Sequence, residues 1–193
     1  MFLFFDTETT GLPSNWKAPI TEVDNWPRLV QLAWLVTDAK GDELDRHNYI
    51  IRPQGFRIPQ AAASIHGIST QQAMEEGIAI EEALQSFADA IDAAAYLVGH
   101  NISFDEKIVG AEFIRAEMPH LMFERPRLCT MKSAIDFCAI PGKYGRSKNP
   151  SLTQLHQILF AEGFANAHDA MADVDACARC FFALVEEDEI QLT

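Results

Sequence analysis

The feature that most constrains this chain lies at its start. Phe2-Leu3-Phe4-Phe5-Asp6 places four apolar residues ahead of an acid, and polar Thr7-Glu8-Thr9-Thr10 and Gly11 follow. A run this short and apolar, ended by turn-forming residues, reads as a buried strand. Residues two apart on a strand project to the same face, so Asp6 and Glu8 emerge together from the end of that strand. Two carboxylates side by side repel unless they are protonated or bridged by a cation. A fold built around this strand must therefore answer for two charges beside its core.

The rest of the chain reads as alternating strands and helices. Residues 12–27 hold Pro13, Pro19 and Pro27 with Trp16 and Trp26 and show no period, which predicts a loop or irregular hairpin. Residues 28–37 and 43–52 are strand-like and are joined by Asp38-Ala39-Lys40-Gly41-Asp42, a hairpin turn. A short helix follows from a Thr70 cap to Glu76, and Ile80, Leu84, Phe87 and Ile91 repeat at helical spacing across 79–94. Residues 96–99 form a buried strand, and Ser103 caps a helix to Met118, stopped by Pro119. A fifth strand over 127–131 and a helix over 131–139 come next. A basic loop over 142–150 then leads to helices over 151–162 and 169–187. The expected architecture is one α/β domain over residues 1–193, a mixed five-stranded sheet with helices packed on it.

Composition removes several function classes. The 193 residues are 48% hydrophobic, enough for one core and too apolar for disorder. The longest nearly uncharged stretch, Ala93 to Asn101, is far below the roughly 20 residues that span a bilayer, so no membrane role is expected. The N-terminus meets an acid after five residues without a basic region, which does not suit a secretory signal. Four cysteines make no disulfide framework, and a reducing cytoplasm is the expected compartment. A net charge of −13 argues against coating long duplexes through phosphate neutralisation. It permits action at a chain end, where two divalent cations would offset four of those charges.

Three further residues join Asp6 and Glu8. Asp105 falls in His100-Asn101-Ile102-Ser103-Phe104-Asp105, after a buried strand and in the first turn of a helix. On the last helix, advancing about 100° per residue from Ala170 puts Val174, Cys177, Phe181, Leu184 and Val185 on one stripe. Asp173 falls at about 300°, on the edge of the stripe, whereas Asp175 at about 140° faces solvent. A carboxylate beside an apolar stripe is costly unless a cation or donor meets it. His168 precedes Asp173 by five residues and converges with it only from the loop before the helix, with Asp169 as cap. Carboxylate oxygens of this kind suit two Mg²⁺ or Mn²⁺ ions, and paired cations clamp the attacking and leaving oxygens of a phosphoryl displacement. A histidine titrates near neutrality and is able to accept the proton of an attacking water.

With these residues in place the sequence resembles the DnaQ-like (DEDDh) 3′–5′ exonucleases of the ribonuclease H-like superfamily. The resemblance runs through Phe5-Asp6-Thr7-Glu8-Thr9-Thr10-Gly11-Leu12, then His100 to Asp105, then His168-Asp169-Ala170 with Asp173, and it includes Ile65-His66-Gly67-Ile68-Ser69. It implies a ribonuclease H-like fold and hydrolysis of DNA 3′ ends, single-stranded or frayed, to nucleoside monophosphates, as in proofreading or repair. It implies that Asp6 bridges two cations, that Glu8 and Asp173 complete the nucleophile-side one, that Asp105 supports the second, and that His168 is the general base. Thr9 and Leu12 would meet the terminal nucleotide, while His66, Asn101 and Phe104 shape its pocket. The stretch Leu12 to Pro27 is longer than the direct turn expected in this family and suits either a mobile flap carrying Trp16 and Trp26 or a segment whose two tryptophans pack on the domain's own surface.

Three rival readings share parts of this pattern: an exoribonuclease of the same family, a non-catalytic nucleic-acid-binding subunit, and a metal-dependent phosphatase acting on small nucleotides. DNA is favoured over RNA as the partner, and any polymerase partner is expected to be a separate chain. Cys177 and Cys180 have zinc-knuckle spacing, but both fall on or beside the core stripe and read as small buried apolar residues.

Overall fold

The computed structural model describes residues 1–192. Its centre is a five-stranded sheet: β1 (Phe2–Thr9), β2 (Leu29–Thr37), β3 (Glu43–Ile50), β4 (Tyr96–Gly99) and β5 (Arg127–Cys129). Their order is β3-β2-β1-β4-β5, with β1 antiparallel to β2 and parallel to β4. The mixed sheet of the sequence reading is thus observed, and β1 is its central strand. β1 is longer than expected and carries Asp6, Thr7 and Glu8 inside the ladder, because Asp6 pairs with Ala33, Thr7 with Leu32 and Glu8 with Gln31.

The alternation along β1 decides what each side chain meets. Leu3 and Phe5 enter a core shared with α3 (Ile80–Ala93) and α4 (Asp105–Arg115). Phe2 and Phe4 enter the opposite core, against α8 (Ala170–Glu186). Asp6 and Glu8 continue the Phe2–Phe4 row, so the helix that covers this face also brings its own carboxylate to them. Fully buried Phe4, Phe5, Trp34 and Phe181 anchor the two layers. Burial of each such side chain is worth about 1.5–3 kcal/mol.

Local structure departs from the sequence reading at several points. α1 (Gln60–His66) was not expected, since Gln60-Ala61-Ala62-Ala63-Ser64 offers little periodicity. α2 (Thr70–Glu76) is capped by Ser69, whose hydroxyl accepts from Gln72 N; Thr70 Oγ1 instead accepts from Ile58 N. Ser103 does not cap α4, which begins at Asp105 after a turn with Asn101 at a φ of 66°. The expected helix over 131–139 is split into α5 (Thr130–Ser133) and α6 (Ile135–Cys138). α7 (Leu152–Phe160) has the full capping box of Ser151 and Gln154, and α8 is capped by Asp169 as expected. Cys177 and Cys180 are buried beside Phe181, as the stripe predicted.

The 12–27 segment follows the packed reading and not the flap. Trp26 is a core residue, 2% exposed, and its indole N–H donates to Pro19 O. Arg115 from α4 donates to the carbonyls of Val23 and Trp26. Such a segment is fastened to the domain and is not a mobile flap. Glu112, 1% exposed on the same helix, accepts from Arg28 Nε at 2.8 Å and from Leu29 N at 3.0 Å, and Arg115 Nη1 lies 2.9 Å away. This buried carboxylate locks α4 to the start of β2. Removing one partner of a buried ion pair costs about 3–5 kcal/mol. Glu112→Ala is therefore expected to lower the unfolding free energy by about 3 kcal/mol in urea denaturation. Glu112→Gln, which keeps an acceptor for Leu29 N, is expected to lose less.

Candidate active site

Asp6, Glu8, Asp105 and Asp173 all line one cavity of 390 Å³, together with His100, Asn101, Phe104 and His168. Three elements converge there: the end of β1, the start of α4 and the start of α8. Register explains the first convergence. β4 pairs with β1 as far as Phe4↔Val98 and ends at Gly99, so the chain that follows it turns beside Asp6. A Cβ on Gly99 would sit 3.1 Å from Ile102 Cβ, which is why this tight turn takes glycine.

Asp105 is held by β1 itself. Its Oδ1 accepts from Thr7 N at 3.1 Å and from Thr7 Oγ1 at 2.7 Å. Thr7 thus joins two of the carboxylate-bearing elements, a role the sequence reading did not assign although it quoted the residue. On α8, His168 precedes the Asp169 cap in a left-handed conformation (φ 74°) and its N–H donates to Asp173 Oδ2 at 3.2 Å. A non-glycine residue in this region carries roughly 1–2 kcal/mol of strain, of the kind that collects at functional sites. The strained turn is what lets His168 face its neighbour five residues on.

Gln31 is a second organiser that sequence reasoning missed. It is 3% exposed and sits opposite Glu8 on β2. Its Oε1 accepts from Ala170 N at 3.3 Å, and its Nε2 donates to Asp169 Oδ2 at 3.3 Å and to Asn48 Oδ1 at 2.9 Å. The first turn of α8, which carries His168 and Asp173, is therefore tied to the sheet through one amide. Its signal was available: Gln31 is the only polar residue in the apolar run Leu29–Val36.

Electrostatics follow from this crowding. Burial pushes Asp6 well above the usual carboxylate range, and Asp105, Asp173 and Glu8 push it further. Burial, then Asp173, Asp105 and Asp169, raise Glu8 to about 8. Asp105 rises to about 7 through burial, although the Thr7 hydrogen bonds oppose this, and Asp173 rises to about 6. His100 is lowered to about 4 by burial. Its Nε2 lies 3.1 Å from Pro150 O and must donate to it, so Nδ1 accepts from Thr130 Oγ1 at 2.9 Å.

The residues fit a divalent cation. One ligand atom each from Glu8, His168 and Asp173 lie within 4.8 Å of one another. Asp173 Oδ1 is buried with no protein hydrogen bond, a costly state that a cation would relieve. The other expected residues form an adjoining cavity of 310 Å³, lined by Thr9, Leu12, His66 and Phe104. Leu12 is 72% exposed on its rim, and Phe104 lines both cavities. His66 Nδ1 accepts from Ile68 N at 3.1 Å, and burial lowers its pKa. Asn101 lies on the carboxylate side only.

Residues 3–181 match the RNase T family model, described as exonuclease. The chain belongs to this exonuclease family. Its fold is ribonuclease H-like, and its sheet agrees with similar solved structures. Escherichia coli Exonuclease I in complex with a dT13 oligonucleotide has a TM-score of 0.73 at 22% identity, over 96% of this chain and 40% of that one. Exonuclease I from Methylocaldum szegediense has a TM-score of 0.74 at 21% identity, with the same coverage. The zinc-bound form of the E. coli ExoI–ssDNA complex has a TM-score of 0.68 at 25% identity, again over 96% and 40%. The exonuclease domain seen here thus spans about 40% of the length of those chains. A comparison with curated proteins finds no match.

Two outcomes are expected of the site. In the metal-free protein, folded Glu8 and Asp105 keep protons that the unfolded chain has released, since their pKa values are raised from about 4 to about 8 and about 7. The folded state binds more protons, so stability falls as pH rises through these values. Between about pH 6.5 and 8, above the ordinary histidine range, Tm in EDTA should drop, and Mg²⁺ should stabilise more at the upper end. A Tm in EDTA that stays level or climbs across this window would refute the crowded-carboxylate picture. Secondly, Gln31→Leu should weaken Mg²⁺ stabilisation by about 10-fold or more in apparent affinity, the usual cost of losing a group that orients ligands. Thermal shift against Mg²⁺ concentration measures it.

Proposed function

We propose that this chain is a 3′–5′ exonuclease that releases nucleoside monophosphates from single-stranded or frayed DNA ends. The observation that carries the reading is the convergence of four carboxylates and His168 on one cavity, beside a second cavity bordered by Leu12 and Phe104. DNA is favoured because similar solved structures hold DNA oligonucleotides.

Asp6, Glu8, Asp105 and Asp173 would hold two divalent cations, Mg²⁺ or Mn²⁺. Such ions, when bound, supply charge neutralisation at the scissile phosphate and activate the attacking water. The second cavity accepts the terminal nucleotide, with Leu12 wedged against its base and Thr9, His66 and Phe104 bounding it. Asn101 borders the phosphate side. This seating sets the last phosphodiester over the carboxylates. His168 stands at the exposed side of Asp173 and takes the proton of water as its oxygen bonds to phosphorus. The P–O3′ bond breaks, O3′ takes a proton from solvent water to become the 3′-hydroxyl of the new end, and the terminal residue leaves as a 5′-monophosphate. Thr7 and Gln31 act through the groups they position.

General-base assistance is worth roughly 10²–10⁴-fold. His168→Ala should lose about that much in kcat on a 5′-labelled oligomer while Mg²⁺ still stabilises the protein, because four carboxylates remain. Loss of Mg²⁺ stabilisation in this variant would make His168 a ligand instead of the base. In the same assay the wild-type protein should shorten DNA from its 3′ end in Mg²⁺ and stop in EDTA. Preference for a matched RNA oligomer would move the substrate class to RNA.

A further inference from the structure

The Leu12–Pro27 segment, longer than the direct turn between two strands requires, ends in an anchored core tryptophan but begins with a half-exposed one. Trp16 is 51% exposed. Its ring packs against Phe104, with centroids 5.6 Å apart and planes inclined by 41°. Phe104 borders both cavities of the site, so Trp16 stands directly beside a residue that they share.

The backbone around Trp16 is fixed. Lys107 Nζ donates to Trp16 O at 3.0 Å and lies 5.0 Å from the centroid of the buried Trp26 ring. Asn15 N donates to Asn25 Oδ1 at 2.8 Å, and Asn25 Nδ2 returns a bond to Asn15 O at 2.9 Å. Lys17 N donates to Asn15 Oδ1 at 2.9 Å. A large aromatic surface is therefore held half open to solvent by its neighbours on both sides. Exposed tryptophan on a rigid support is the arrangement that single-strand binders use to stack bases.

Resting on the exonuclease reading, we propose that Trp16 is the stacking platform for the base of the penultimate nucleotide. When the terminal nucleotide fills the cavity behind Phe104, the strand must pass that ring, and the next base meets the indole packed against it. The insertion then adds a second grip on unpaired ends. A base still paired in a duplex is not free to stack there, so the platform favours single strands.

The test uses two 5′-labelled single-stranded DNA oligomers that differ only in whether the penultimate nucleoside carries its base or is abasic. Stacking on an aromatic side chain is worth about 5- to 150-fold in binding. The wild-type protein should show kcat/KM for the abasic oligomer lower by about that factor. Trp16→Ala should lose a similar factor on the normal oligomer and show no further loss on the abasic one, and Trp16→Phe should keep most of the wild-type preference. Equal use of both oligomers by the wild-type protein overturns the proposal, and this arm does not depend on the folding of any variant. Loss of the same factor on both oligomers in Trp16→Ala also overturns it, as the mark of a structural role. If the wild-type protein degrades neither oligomer in Mg²⁺, the exonuclease reading itself fails; degradation without sensitivity to the penultimate base removes only the platform.

Discussion

The mutual repulsion of four carboxylates gathered at the end of one buried strand governs this structure. Each alone would face water. Here β1 carries two of them inside the ladder, and α4 and α8 each deliver another. Folding pays for this crowding with protonation, since burial and like charge raise all four carboxyl groups. A divalent cation placed among these groups would relieve that repulsion, since an opposite charge favours the ionised form.

Holding such groups together requires buried polar struts, and the structure spends its few buried polar side chains on them. Thr7 ties Asp105 to the strand that bears Asp6, and Gln31 ties the first turn of α8 to the strand beside Glu8. Glu112 fastens α4 to β2 from the other end of the helix. Gln31 and Glu112 each accept from a backbone N–H at the start of a helix or strand, Ala170 N and Leu29 N, and Asp105 accepts from Thr7 N.

The sheet, its order of chemistry-bearing residues and the helix stripe of α8 were legible because each rests on local periodicity. Asp173 was found by its angle on a helix, and the Asp169 cap by residue type. The wedge residue Leu12 and pocket residues Thr9, His66, Asn101 and Phe104 came only through family resemblance, and the structure gathers them around the two adjoining cavities. What escaped depends on contacts distant in sequence. Ser69 and Thr70 are adjacent and equally suited to capping, and only the packing of Ile58 against that turn decides between them. Burial of Trp26 in the core was not legible because the 12–27 segment has no period to assign it a face. Besides Pro19 O, its partners come from α4, some 80 to 90 residues away.

The spread of these residues along the chain has a consequence for how the molecule is made. β1 is synthesised first, its parallel neighbour β4 follows some 90 residues later, and α8 comes last. Contacts between such distant segments close late in folding. A ribosome-bound chain that has not yet released α8 lacks Asp173, His168 and the wall that covers Phe2 and Phe4. A chain shortened before α8 would therefore leave Phe2 and Phe4 uncovered and could not bring His168 and Asp173 to the end of β1.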